Sequence, residues 1–122
     1  MTIRDRNKYR DAAWDWSFLN KCFADTAIRL SDIDGVVERH GYFLFIEAKP
    51  TNKKLSIGQE ILLTKLSAIP RVTVLILWGE NGEPVCMKQM GYEPVVCTKD
   101  DVVRVVSEWF TNAQKNGNKT IR

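Results

Sequence analysis

The sequence has little of what a disulfide-linked, zinc-binding or membrane-spanning protein needs. It contains three cysteines and one histidine. Cys22, Cys86 and Cys97 form neither an even disulfide set nor a close metal-ligating pair, so we expect reduced thiols and no zinc site. The sequence has no run of about 18 apolar residues that could cross a membrane, and its N-terminus does not have the pattern of a signal peptide. We therefore expect a soluble, cytoplasmic protein that does not associate with membranes.

The length and charge indicate one domain with basic ends. The 122 residues, 44% of them hydrophobic, are expected to form a single domain over 1–122, because each half alone would bury too small a core. The net charge of +3 is unevenly distributed. Residues 1–10 carry four cations, among them Arg4 and Arg6, against one acid, and residues 113–122 carry three cations and no acid. Such flexible basic ends suit either a nucleic-acid backbone or simple solubilisation.

The hydrophobic periodicity predicts a mixed α/β order, because it changes along the chain between the helical period and the period of strands. A mixed sheet flanked by helices follows from this order. In chain order, the pattern first predicts a well-buried helix over about 11–27 and then a β-hairpin with strands over 28–38 and 42–46 and a turn at His40-Gly41. A helix over 56–69 follows, opened by a Ser56–Gln59 capping box, and then a strand over 71–78 that is buried on both faces. The pattern ends with a short strand pair near 85–87 and 94–97, with Gly91 between them, and a helix that follows Thr98, with Asp101 in capping spacing, and ends near 116–117.

Two carboxylates are expected to face each other across the hairpin. If His40 and Gly41 form a two-residue turn, counting outward along the antiparallel strands brings Asp34 opposite Glu47. Directly opposed residues have Cβ atoms about 4.5–5.5 Å apart, so like charges there are destabilising unless a positive group lies between them. Lys49 shares the face of Glu47, since it lies two residues along the strand. A divalent cation that prefers oxygen ligands, such as Mg²⁺, fits between the acids.

Two alternatives remain open for this cluster. Asp32 lies on the same strand face as Asp34 and would take its place if a longer turn shifted the register. A surface ion pair between Glu47 and Lys49 would explain both residues without any function, and such a pair stabilises a fold by at most about 1 kcal/mol.

Three segments resemble the PD-(D/E)XK nuclease superfamily, and most closely its small phage and bacterial or Holliday-junction-resolvase-like members. They are residues 31–38, which contain Asp34, residues 45–49 with the E-x-K pair, and Gly58-Gln59 at a helix start. The similarity covers roughly residues 10–80. It implies a restriction-endonuclease-like core of the αβββαβ type, with a mixed central sheet flanked by helices.

The resemblance also implies an activity. The chain would be a Mg²⁺- or Mn²⁺-dependent deoxyribonuclease, an endonuclease rather than an exonuclease, leaving a 5′-phosphate. Asp34 and Glu47 would be catalytic acids and metal ligands, the Ala48 carbonyl a further ligand, Lys49 the catalytic amine, and Gln59 a residue that orients water or substrate. The capping box with Ser56 explains Gln59 equally well.

The sequence departs from the superfamily pattern in two places. Ile33 stands where the motif often has proline. Many members carry a glutamate on the first helix as an additional metal ligand, but no glutamate precedes Glu38 here. Asp11, Asp15 or Asp25 could substitute, and the sequence does not choose among them.

The expected partner is DNA, with RNA not excluded, bound by a homodimer or a larger assembly. Lys53 and Lys54, between the hairpin and the second helix, could contact the phosphate backbone together with Arg4 and Arg6, although a solvated loop explains the two lysines as well. A catalytically silent module that binds nucleic acid or protein, such as a phage-borne inhibitor or an assembly factor, is the alternative function.

The four tryptophans could stack on unpaired bases. Trp14 and Trp109 lie on apolar helical faces and are predicted to belong to the core. Trp16 and Trp78 remain open.

Overall fold

The computed structural model describes the backbone of residues 14–120 and the side chains of residues 14–117. The chain divides into two compact units, the first ending at Asp32 and the second beginning at Ile33. The candidate residues Asp34, Glu47 and Lys49 all belong to the second unit.

In the first unit, a 3₁₀ helix occupies Trp16–Phe23. Asp15 caps it, because its carboxylate accepts a hydrogen bond from the Ser17 backbone N–H at 2.9 Å, which lowers the pKa of Asp15. None of the eight helical residues is buried, and Trp14 and Phe18 are 74% and 61% exposed. Residues 11–13 lie outside the described residues. Over the described residues 14–27, the prediction of a well-buried helix over residues 11–27 is wrong in length and burial, and Trp14 is not a core residue. Helical spacing reveals an apolar stripe but not what covers it.

The second unit is a five-stranded mixed sheet whose strands lie side by side in chain order. β2 and β3 are parallel, and all other neighbouring strands are antiparallel. The predicted mixed sheet flanked by helices is confirmed. Two described strands precede α1, whereas the αβββαβ order would place three there. The elements are β1 (Gly35–Arg39), β2 (Tyr42–Lys49), α1 (Ile57–Ser67), β3 (Val72–Glu80), β4 (Glu83–Gln89), β5 (Val95–Val96) and α2 (Lys99–Thr120).

The hairpin between β1 and β2 has the predicted two-residue turn. His40 and Gly41 have positive φ angles of 54° and 84°, as a type I′ turn requires. The register pairs Arg39 with Tyr42 next to the turn and Gly35 with Ile46 at the far end. The alternative of a longer turn with a shifted register is therefore wrong.

The hydrophobic core lies on both faces of β3. Val74, Leu75 and Ile76 are each 1% exposed or less, which confirms a strand buried on both faces. Leu63 of α1 packs against Val74 and Ile76. Phe45 of β2 joins this cluster, so α1 lies over the face of β2 that carries the odd-numbered residues.

The C-terminal helix α2 lies over the opposite face. Val102 and Val106 of α2 and Leu77 of β3 line one cavity, and the Arg39 side chain of β1 donates a hydrogen bond to Gln114 of α2. Ala113 is buried in this layer. The sheet is therefore covered on both faces.

Both helix starts agree with the predicted capping boxes. Ser56 Oγ accepts a hydrogen bond from the Gln59 backbone N–H at 3.1 Å, and Gln59 Oε1 accepts one from the Ser56 N–H at 3.3 Å. Thr98 and Asp101 form the equivalent pair before α2. None of the described helices is both long and apolar enough to cross a membrane.

α2 extends past the predicted end near residues 116–117 and reaches Thr120. Gly117 is a contact residue and not a helix terminator, because a Cβ there would overlap the side chain of His40 in the hairpin turn. Nε2 of His40 is buried and has no hydrogen-bond partner among the described residues. The glycine therefore allows the helix to pack directly onto the turn.

Candidate active site

Asp34 lies immediately before β1, at the open end of the hairpin. Its Oδ2 accepts a hydrogen bond from the Ala48 backbone N–H at 2.9 Å. β1 begins at Gly35, which pairs with Ile46, so Asp34 lies one residue beyond the paired strands, next to the end of β2 that carries Glu47. The structure thus brings Asp34 to the backbone of the residue that follows Glu47. That the two carboxylates face each other stays a prediction.

The backbone of Ala48 is directed toward the same place. In a β-strand, the N–H and C=O groups of one residue point toward the same neighbouring strand. Since the Ala48 N–H points at Asp34, its carbonyl oxygen lies on that side as well. β1 begins only at Gly35, so the Ala48 carbonyl lies beyond the paired part of β1.

Lys49 is the last residue of β2, half-buried and on the face of Glu47. Its register partner is Trp78 of the parallel strand β3. Both residues line a cavity of about 120 Å³ at the carboxyl ends of β2 and β3. Ligands of open α/β sheets bind outside the carboxyl ends of the strands, which is where Glu47 and Lys49 lie.

A glycine that sequence reasoning did not single out shapes this cavity. The pairing of β3 with β4 shifts register between Trp78 and Gly79. A Cβ at Gly79 would overlap the Glu83 backbone, so only glycine allows β4 to approach this closely. The sequence signal that could have identified it is a glycine at the end of an apolar strand, because such glycines mark bulges or close backbone contacts.

The loop between β2 and α1, residues 50–56, is attached to β3 by two hydrogen bonds. Trp78 Nε1 donates to the Lys53 carbonyl at 2.7 Å. The Thr51 N–H donates to the Glu80 carboxylate at 2.9 Å. These bonds fix the backbone of the loop that carries Lys53 and Lys54, and both lysines are exposed.

Lys53 and Lys54 line a wider cavity that shares Trp78 with the smaller one. The structure therefore places two of the four predicted nucleic-acid-binding residues beside the candidate site. Arg4 and Arg6 lie outside the described residues.

Gln59 is the third residue of α1, where it completes the capping box with Ser56. This confirms the capping interpretation of the Gly58-Gln59 segment. A role in orienting water or substrate stays a prediction.

The oxygen donors at this site suit a hard cation. Asp34, Glu47 and the Ala48 carbonyl offer only oxygen, which Mg²⁺ prefers. Within residues 14–117, no group of three or more His, Cys, Asp or Glu side chains could hold a metal ion. A site for Mg²⁺ here would have to be completed by backbone oxygen and water, and it stays a prediction.

The acids that could supply a further ligand have local partners or lie elsewhere. Asp15 caps the 3₁₀ helix, and Asp32 accepts a hydrogen bond from Trp16 Nε1 at 3.0 Å in the first unit. Asp25 is exposed, and Asp11 lies outside the described residues. A first-helix ligand stays a prediction.

Comparisons with protein-family models, with curated proteins and with solved structures found no match for this chain. The likeness to the PD-(D/E)XK superfamily therefore depends on the motif residues themselves. A functional assignment has to be argued from the chemistry of the site.

Proposed function

We propose that this chain is a nuclease that hydrolyses phosphodiester bonds in DNA with Mg²⁺ or Mn²⁺. The observation that carries the proposal is the hydrogen bond from the Ala48 N–H to Asp34 at the end of β2, the strand on which Glu47 and Lys49 share a face. Carboxylates at a binding site repel the like charge of a phosphate. A role limited to binding nucleic acid gives no reason for them, whereas a cation site does.

The chain's own groups would divide the chemistry as follows. Asp34, Glu47 and the Ala48 carbonyl would hold the ion, and the ion would supply Lewis-acid chemistry at the phosphate. The Lys49 ammonium would donate hydrogen bonds to a phosphate oxygen and to the attacking water. A fixed positive group there stabilises the negative charge that develops on phosphorus oxygens during hydrolysis.

Lys53 and Lys54 would contact the phosphates on either side of the cleaved bond. Their loop is held against β3 at Thr51 and Lys53. The backbone from which the two lysine side chains extend is therefore fixed. Contacts of this kind position a nucleic acid without reading its sequence. Homodimer formation, which would extend this surface, is part of the proposal.

A catalytically silent nucleic-acid- or protein-binding module is the second candidate function. One observation favours it, namely the lack of a group of three or more metal-ligating side chains among residues 14–117. In that case Asp34 and Glu47 would at most hold a structural ion.

The test is cleavage of labelled single-stranded, duplex and four-way-junction DNA with Mg²⁺, Mn²⁺ or EDTA. We expect metal-dependent cleavage, reduced about 100- to 1,000-fold in Glu47→Gln and in Lys49→Met. Glu38→Gln is the matched control, because Glu38 lies on the same face but its carboxylate accepts the Gly41 N–H at 2.8 Å near the turn.

Two outcomes would contradict the proposal. Equal loss of activity in Glu38→Gln and Glu47→Gln would show that the activity responds to net charge and not to this site. A wild-type chain that binds DNA in EDTA but cleaves none of the substrates with either metal would favour the binding module. Circular dichroism checks that each variant is folded.

A further inference from the structure

A second cavity adjoins the candidate active site. Its volume is about 440 Å³, within the range of about 300–1,000 Å³ that is typical of small-molecule sites. It shares Trp78 with the smaller cavity beside Lys49. Its other walls come from the loop before α1 and from β4 and β5, and the lining residues include Lys53, Lys54, Val85, Cys86, Pro94 and Val96.

The two sides of this cavity differ in chemistry. The side formed by the sheet is largely apolar, because Trp78, Cys86 and Val96 lie in one row across β3, β4 and β5. The side formed by the loop carries the exposed ammonium groups of Lys53 and Lys54. The hydrogen bond from Trp78 Nε1 to the Lys53 carbonyl holds the indole in one orientation.

We infer that this cavity binds one unpaired nucleobase next to the phosphate that is cleaved. This inference rests on the proposed nuclease function and names its substrate class. A nucleotide has a flat apolar base and an anionic phosphate, which match an aromatic and aliphatic wall with a rim of lysines. In an intact duplex both faces of a base are covered by stacking, so only a single-stranded or extruded base can enter such a site.

β5 provides a matched pair of variants. Val95 and Val96 are adjacent, so their side chains point to opposite faces of the sheet. Only Val96 lines the cavity, and its side chain is 90% exposed, against 50% for Val95. Val96→Glu places a carboxylate at the cavity mouth without removing a core residue, and Val95→Glu places the same charge on the other face.

The first experiment measures binding in EDTA, where cleavage cannot occur. The probes are a fluorescent oligothymidylate and an abasic strand of equal length and charge, followed by anisotropy. We expect the wild-type chain to bind the oligothymidylate about tenfold more tightly than the abasic strand. Val96→Glu should abolish this difference, and Val95→Glu should retain it.

The outcomes separate this inference from the nuclease proposal. Equal wild-type affinity for the two strands, or equal effects of Val95→Glu and Val96→Glu, would overturn the base-binding cavity. If metal-dependent cleavage continues in that case, the nuclease proposal stands alone. If the wild-type chain neither binds nor cleaves any strand, both fail together.

Cys86 allows a second measurement on a nearly unaltered protein. It is half-buried in the cavity wall. Cys97 is 6% exposed, and burial raises the pKa of its thiol, so it should react slowly. In a Cys22→Ser background, we expect oligothymidylate to slow the reaction of Cys86 with N-ethylmaleimide several-fold and the abasic strand to leave it unchanged. Equal protection by both strands, or protection by neither, would overturn the inference.

Discussion

The two ends of the β1–β2 hairpin differ in what their charged groups contact. At the turn end, each charged group has a structural partner: Glu38 accepts the Gly41 N–H, Arg39 donates to Gln114, and the Arg71 guanidinium lies 5.3 Å from the centre of the Tyr42 ring. Charge at this end holds the turn against the rest of the unit.

At the open end, two acids and a lysine lie close together along the chain. Asp34 accepts the Ala48 N–H, and Glu47 and Lys49 on either side of Ala48 share one face of β2. Opposed like charges destabilise a strand pair, and clusters that cost stability are concentrated at functional sites. The contrast teaches that one element can be built for stability at one end and for chemistry at the other.

The largest expected effect is on activity at the open end. Asp34→Asn keeps an oxygen that can accept the Ala48 N–H, but it removes the negative charge. Cleavage should fall about 100- to 1,000-fold, while the free energy of unfolding should change by less than about 1 kcal/mol, because the amide oxygen can keep the hydrogen bond from Ala48. Cleavage rates and urea unfolding measure the two effects. A variant that loses stability and keeps its activity would reverse the comparison.

The turn end should show the opposite behaviour. Gly117→Ala forces a methyl group into the side chain of His40, and such overpacking costs about 1–3 kcal/mol. Activity per folded molecule should not change. His40→Gly removes the colliding atoms, so adding Gly117→Ala to that variant should cost less than it does in the wild-type chain, as a double-mutant cycle in urea would measure. Equal costs in the two backgrounds would show that this contact does not determine stability.

A third substitution tests whether the open end also has purely structural parts. Ser56→Ala removes the cap of α1, which accepts the Gln59 N–H, and should lower stability by about 1 kcal/mol. Activity should follow the folded fraction only. A larger fall in cleavage by fully folded protein would show that the start of α1 positions the site.

The smallest effect is expected beside the turn. Arg71→Gln removes the cation over the Tyr42 ring, an exposed contact that contributes about 0.5–1 kcal/mol. Thermal unfolding should show a small loss, and cleavage should be unchanged. A substantial loss of cleavage without loss of stability would mean that charge at the turn also serves function, which would remove the distinction between the two ends.

Local rules predicted the parts of the site that are local in sequence. The His40-Gly41 turn fixes the register by backbone geometry, from Arg39 opposite Tyr42 to Gly35 opposite Ile46. The capping spacing of Ser56 and Gln59 predicted where α1 begins. Each of these predictions depends on a few neighbouring residues.

Contacts between distant segments were not predictable in the same way. The close packing of Gly117 on His40 and the bond from Trp78 to Lys53 join residues whose proximity no sequence spacing encodes. The burial of the first helix also failed as a prediction, because an apolar stripe does not specify what packs against it.

The hairpin also has a consequence for the order of folding. Asp34 and Ala48 are fourteen residues apart, and short hairpins close in about 1–10 μs. The parallel pairing of β2 with β3 must wait for the crossover through α1, and such non-local pairing forms more slowly. Asp34 is therefore expected to reach the end of β2 before β3 completes the site, and a divalent ion held there should accelerate refolding even in the absence of DNA.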